Sequence, residues 1–361
     1  MNPTQELHDA GQSLWLDNIT RDLLNLGKLK GYIDQLAVTG LTSNPTIFDQ
    51  AIERSQAYDA EIAKAAAAGD PAEEIFFKLA IDDLRAAADL FRPLHEQTVG
   101  VDGWVSLEVS PLLADDAEGT VEAATALHRR AGRPNLFIKI PGTPAGLKAI
   151  EECIFAGVPI NVTLLFSAAQ YSAAAGAYMA GLERRVVQGL SPDVTSVASL
   201  FVSRWDKALA GKVPEALRGR VGIAAAAQAY RSYRDLLDSE RWQRLANAGG
   251  RPQRLLFAST STKDPAAPDV LYISALGAPL TINTMPEETL LAFADHGRVG
   301  AMLDPAGGDA DAVMGGLSAA GIDPSELALR LQREGAASFD DSWGNLMACI
   351  GSRAGQLVAG R

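Results

Sequence analysis

The segment Leu136-Phe137-Ile138-Lys139-Ile140 puts its aliphatic residues on one face of a strand, and Phe137 with Lys139 on the other. If the aliphatic face packs on helices, Lys139 points into the protein. An amine in a partly desolvated place gives up its proton more readily, and a neutral amine is what imine formation with a carbonyl requires. The structural alternative for such a lysine is an edge strand or a core ion pair. The same alternation recurs along the chain. Ser106 and Glu108 lie opposite the aliphatics of Val105–Val109, and Asn161 and Thr163 opposite those of Ile160–Leu164. Ser199 and Phe201 share a face, as do Trp15 and Asp17, and Thr42 and Asn44. Each polar group falls near the C-terminal part of its strand. Together they describe a dry pocket with one amine, two carboxyls and several neutral hydrogen-bonding groups. Single members keep simpler readings: Asn44 as the cap of a helix starting at Pro45, Thr163 and Ser199 as partners of nearby backbone, Trp15 and Phe201 as core.

Those residues need strands to hold them. Apolar or alternating runs predict strands near Ser13–Ile19, Val38–Ser43, Gly103–Val109, Asn135–Ile140, Pro159–Phe166, Val194–Val202, Arg254–Ser259 and Ala278–Asn283. Helical patterns fall between them, near Ser55–Ala68, Ala72–Gln97, Thr120–Ala131, Gly146–Ala156, Ala168–Gln188 and Ala216–Asn247. Strand alternating with helix predicts parallel βαβ units, and eight strands close a (β/α)8 barrel, whose chemistry sits at the C-terminal strand ends. The long gaps after the second and sixth strands leave room for extra helices. Thr143-Pro144 reads as a helix start, and Asn44-Pro45, Ser191-Pro192, Asp264-Pro265, Asp304-Pro305 and Asp323-Pro324 look alike. We expect a barrel over residues 1–300 and a C-terminal helical extension over 301–361. The extension has a flexible Ala306–Gly316 segment and a helix Pro324–Gly351 packed on the outside of the barrel.

Composition narrows the function. The 361 residues are 47% hydrophobic and 21% charged, which excludes global disorder, and the net charge of −12 disfavours nucleic acid as a partner. No run approaches the roughly 18 apolar residues of a membrane helix, and the polar stretch Met1–Gln12 lacks a secretory core. Two distant cysteines, Cys153 and Cys349, fit a reducing cytoplasm. No Gly-rich nucleotide loop follows a strand, and no metal-ligand spacing occurs, so chemistry without a cofactor or metal is expected.

The motifs resemble the transaldolase family, Schiff-base-forming class I aldolase-type barrels. The resemblance rests on Asp17, Thr42-Ser43-Asn44-Pro45-Thr46-Ile47-Phe48, Ile138-Lys139-Ile140-Pro141-Gly142-Thr143, Asn161-Val162-Thr163-Leu164-Leu165-Phe166-Ser167 and Ser199-Leu200-Phe201-Val202-Ser203-Arg204. The length and tail look like the longer bacterial form. The resemblance implies that Lys139 forms an imine with a ketose phosphate, and that Glu108, with Thr163 and a water, moves protons during imine formation. Asp17 would take the hydroxyl proton beyond the breaking bond. Asn44, Asn161 and Ser199, beside Thr42 and Phe201, would hold the three-carbon fragment, and Arg204 the phosphate. Where many members carry an arginine after the seventh strand, this chain reads Phe257-Ala258-Ser259-Thr260-Ser261-Thr262-Lys263. Ser259 then joins the substrate-binding set, and Lys263 replaces the arginine as a second phosphate charge. A related aldolase branch tends to carry tyrosine at the position of Phe201 and glutamine at that of Glu108, so the pair here favours transfer over simple aldol cleavage. A fructose-6-phosphate-type aldolase and a non-catalytic sugar-phosphate-binding barrel are the competing readings. The sequence leaves monomer and homodimer both open.

Overall fold

Eight short parallel strands form the centre of the computed structural model, which describes residues 2–359. They are β1 (Ser13–Asp17), β2 (Val38–Thr42), β3 (Trp104–Glu108), β4 (Leu136–Pro141), β5 (Ile160–Leu165), β6 (Ser196–Phe201), β7 (Arg254–Ala258) and β8 (Ile282–Met285). Each pairs with the next in sequence, and β1 pairs with β8 to close the barrel. This is the (β/α)8 architecture the alternation predicts. Met1 and the last two residues of the tail expected over 301–361 lie outside the described residues.

The alternation sorts the side chains as the strand period requires. Leu14, Leu16, Val105, Leu107, Leu136, Ile138 and Ile140 pack outward among the helices. Inward, the N-terminal half of the barrel is filled by Trp15, Trp104, Phe137, Val197, Leu256 and Ile282. The Trp104 and Phe137 rings stack at 4.1 Å, and Trp15 joins at 6.2 Å from Phe137. Gly40 on β2 leaves room for this plug, since a Cβ there would lie 2.5 Å from the Trp15 indole. Each such buried ring stabilises the fold by about 1.5–3 kcal/mol. The polar inward residues are therefore stacked above an apolar floor.

Three expectations need correction. The last strand begins at Ile282 instead of Ala278, because Pro279 lacks an amide proton and Leu280 turns through a left-handed φ of 64°. The strand also runs on to Met285, which takes in Thr284 on the inner face. The pattern Ala216–Asn247 divides into a 3-10 turn, Glu215–Leu217, and two helices, Val221–Asp238 and Glu240–Asn247, separated by extended Ser239. The segment expected to be flexible, Ala306–Gly316, contains the start of a helix, Ala310–Ala319, anchored by buried Ala310, Val313, Met314 and Leu317.

Of the six residue–proline pairs, Asn44, Thr143 and Asp323 do start helices, their side chains accepting from the amide three residues on. Asp323 also accepts from the amide two residues on, at 2.7 Å, whereas Ser191, Asp264 and Asp304 take that amide without the one three on, which closes a turn. The extra helices after β2 are Pro45–Arg54, Asp59–Ala67 and Ala72–Gln97.

The chain ends in a helix, Pro324–Ala359, that runs past the C-terminal end of the barrel. Gln332 donates to the carbonyls of Gly142 and Leu164 at 3.0 and 2.9 Å, tying the helix to the ends of β4 and β5. Further along, Trp343 packs edge-on against Phe76, and Arg353 pairs with Asp59. Among the described residues no helix is long and apolar enough to cross a membrane.

Candidate active site

A cavity of about 870 Å³ opens at the C-terminal ends of the strands. Its wall includes Asp17, Thr42, Asn44, Lys139, Thr163, Ser199, Phe201, Arg204, Ser259 and Lys263, ten of the residues singled out from the sequence. Parallel pairing explains the convergence. Register sets Asp17 beside Thr42, Glu108 beside Lys139 and Lys139 beside Asn161, so inward side chains of adjacent strands meet at one level.

Lys139 is 5% exposed and donates to Glu108 Oε2 at 3.1 Å and to the Ser43 carbonyl at 3.2 Å. The carbonyl of Ser43 was not anticipated; it fixes the amine from the β2 side. Thr42 Oγ1 donates to Asp17 at 2.7 Å and shares a 2.7 Å contact with Thr284 Oγ1. Thr284 was missed because the expected strand stopped at Asn283. Thr163 Oγ1 is buried without a protein partner.

Two residues of the set stand behind the wall. Glu108 reaches the cavity only through Lys139. Asn161 is fully buried, donating to Ser106 Oγ at 3.1 Å and accepting from Ser199 Oγ at 2.7 Å. That chain fixes the Ser199 hydroxyl, which itself lines the cavity. Asn44 caps its helix by accepting from Ile47 N at 3.1 Å, so the local reading holds, yet it also lines the cavity.

Both carboxyls have proton affinities raised by burial. For Asp17, loss of water outweighs the opposing pull of Lys139, the Thr42 hydrogen bond and Lys263. Asp17 is only partly buried and keeps a face on the cavity, so its carboxyl rises, but by less than full burial would give. For Glu108, burial outweighs the charge and hydrogen bond of Lys139, and Asp17 adds to the rise. A buried pair of this kind is weak evidence for stability, because desolvation costs about as much as attraction returns. Chemically, it places the Lys139 amine against Glu108, with Asp17 on the same cavity, two carboxyls whose raised proton affinity suits them to carry protons.

At the other end, the half-buried Arg204 guanidinium lies 5.4 Å from the centroid of the Phe201 ring. Burial lowers its proton affinity, with Glu334 opposing. Among the described residues Arg54, Arg204 and Lys263 line the cavity without an ion pair, which leaves three cations to face an anion there, Arg54 among them missed from the sequence. Ser259 sits at a left-handed φ of 55°, its hydroxyl 2.9 Å from that of Ser203. Strained non-glycine backbone of this kind concentrates at functional sites. Among the described residues no three His, Cys, Asp or Glu side chains converge as metal ligands would.

The terminal helix adds Phe339, whose ring centroid lies 5.7 Å from Lys139 Nζ. A stripe at every fourth residue, Leu327, Leu331, Gly335, Phe339 and Trp343, carried the signal for it.

The sequence profile described as "Transaldolase/Fructose-6-phosphate aldolase" matches residues 14–350. A protein named transaldolase from Parafrankia sp. (strain EAN1pec) is 44% identical over 366 residues, covering 99% of each chain. One of the same name from Thermobifida fusca (strain YX) is 45% identical and covers 96% of each. One from Trichodesmium erythraeum (strain IMS101) is 43% identical over 82% of each. With a barrel of this geometry and similarity over nearly the whole length, the chain belongs to the transaldolase/fructose-6-phosphate aldolase family.

Proposed function

We propose that the protein is a transaldolase, moving a dihydroxyacetone unit from sedoheptulose 7-phosphate or fructose 6-phosphate to glyceraldehyde 3-phosphate or erythrose 4-phosphate. The observation that carries this reading is the Lys139 amine, buried at the cavity floor and bonded to Glu108 at 3.1 Å. Lys139 attacks the ketose carbonyl and expels water to give an imine. Glu108, through its contact with the amine and with Thr163 nearby, moves the protons of that step. Asp17 takes the hydroxyl proton as the carbon–carbon bond breaks, and its electron pair is held as an enamine. The aldose phosphate leaves, a second aldose phosphate enters, and Asp17 returns the proton as the new bond forms. Water then adds to the imine, with Glu108 moving the protons, the carbon–nitrogen bond breaks, and the new ketose phosphate leaves as the Lys139 amine is restored. Ser199 and Asn44 align the fragment, with Asn161 acting through Ser199, while Arg204 and Lys263 hold the phosphate. Both cysteines are free, which supports a reducing cytoplasm as its location.

Borohydride added with fructose 6-phosphate is expected to leave a reduced adduct on Lys139, read by peptide mass. Finding none, or finding it on another lysine, would end this reading. The aldolase reading predicts equal turnover with and without erythrose 4-phosphate; the transferase reading predicts strong dependence on it.

A further inference from the structure

Phe339 is 6% exposed although it comes from a helix far from the strands in sequence. It lines two spaces at once. One is the main cavity; the other is a chamber of about 10 Å³ bounded by Glu108, Val109, Pro111, Ala114, Pro141, Leu164 and Ala336. That chamber has room for about one water. The ring therefore stands between the main cavity, which Lys139 lines, and this chamber, which Glu108 bounds, and the chamber is too small for a chain of waters.

The helix is pinned on both sides of the ring. Before it, Gln332 holds the ends of β4 and β5, and Gly335 lets the backbone come close. A Cβ at Gly335 would lie 3.0 Å from Leu164 Cδ2 and 3.6 Å from Arg204 Nη1. After it, Ser342 Oγ accepts from Thr46 at 2.8 Å, and Trp343 packs on Phe76. Pinned in this way, the ring keeps its place over the amine.

We infer that Phe339 is a specificity-determining residue that directs the bound three-carbon unit to a sugar aldehyde and away from water. This rests on the proposed transferase reading. After donor cleavage, the enamine has two fates. Its carbon forms a bond to an incoming aldehyde, and hydrolysis of the resulting imine by water completes the transfer. Alternatively, that carbon takes a proton, water adds to the iminium carbon, the carbon–nitrogen bond breaks, and dihydroxyacetone leaves as the Lys139 amine is restored. Both fates end in hydrolysis by one water; they part at the enamine carbon, which takes an aldehyde in the first and a proton in the second. An aromatic face attracts the iminium charge, supplies no proton and excludes water.

The test compares the full-length protein with Phe339→Ala and Phe339→Leu, using fructose 6-phosphate with and without erythrose 4-phosphate. Free dihydroxyacetone is measured per transfer event, and circular dichroism confirms folding. The ratio is expected to rise about tenfold for the alanine variant. Leucine keeps most of the apolar volume, so a rise of about threefold is expected and the fold is retained. A parental ratio in the folded variants overturns the inference. Borohydride trapping runs in parallel: an adduct on Lys139 in every protein with an unchanged ratio overturns this inference alone. Failure to trap Lys139 in the parent overturns the transferase reading beneath it.

Discussion

Asp17 combines a cost to the fold with a task in the reaction. Burial raises its carboxyl above the ordinary value of 3.8, so the folded chain keeps this proton to a higher pH than the unfolded chain. Below the ordinary range both states are protonated and the site carries no penalty. As pH rises through that range and then through the folded value, the unfolded chain ionises first and stability is lost. Asn at 17 still accepts from Thr42 and cannot ionise. Asp17→Asn is therefore expected to melt higher than the parent at neutral pH, with the gap closing toward pH about 4, while transfer falls about 10²–10⁴-fold. Melting curves at both pH values, with a coupled transfer assay, check the two halves. A variant that loses both activity and stability would contradict the burial argument. The period of two was enough to find Asp17, Glu108 and Lys139, because strand alternation alone sends them inward. It could not find Thr284, which lies one residue past the expected end of the last strand, nor the Ser43 carbonyl, which has no side-chain signature.

At the scale of elements, the terminal helix is joined to the strands by one buried amide. Gln332 satisfies two carbonyls, Gly142 after β4 and Leu164 on β5, and Leu164 has a left-handed φ of 60°. The irregular backbone there interrupts the β5–β6 register between Val162 and Leu165, so the Leu164 carbonyl looks to the helix for its donor. Gln332→Leu would leave both carbonyls buried and unpaired, at a cost of about 1–3 kcal/mol for each group left unsatisfied. A lower urea midpoint with an unchanged slope is the expected result; an unchanged midpoint would mean that water replaces the amide. Little of this was readable in sequence. The helical period of the tail predicts a helix, but the partners of Gln332 are 190 and 168 residues away. Helix starts show the same limit: Asp264-Pro265 and Asp323-Pro324 look identical in sequence, and both aspartates accept from the amide two residues on, but only Asp323 also reaches the amide three on.

Residues 301–361 are expected as a C-terminal helical extension packed on a barrel over 1–300. We propose that the extension and the barrel unfold as one unit. Helix Pro324–Ala359 buries Leu327, Leu331, Phe339, Trp343, Leu346 and Ile350. Its partners include the helices that follow β2, so the last part of the chain is packed on the first third. Trp343 lies 5.2 Å from Phe76 and 5.8 Å from Phe77, centroid to centroid, and losing the helix would expose those rings beside Phe48. Contiguous aromatic surface laid open in this way invites aggregation in water. The local unfolding of an appendage would appear as a separate transition at lower denaturant, whereas a tail that completes the core melts with it. Hydrogen exchange of the intact protein in rising urea is expected to release the amides of Leu331–Leu346 together with those of β4 and β5. Release of the helix first, with the strands still protected, would restore the two-part division and would also weaken the case for Phe339 as a fixed wall of the active site.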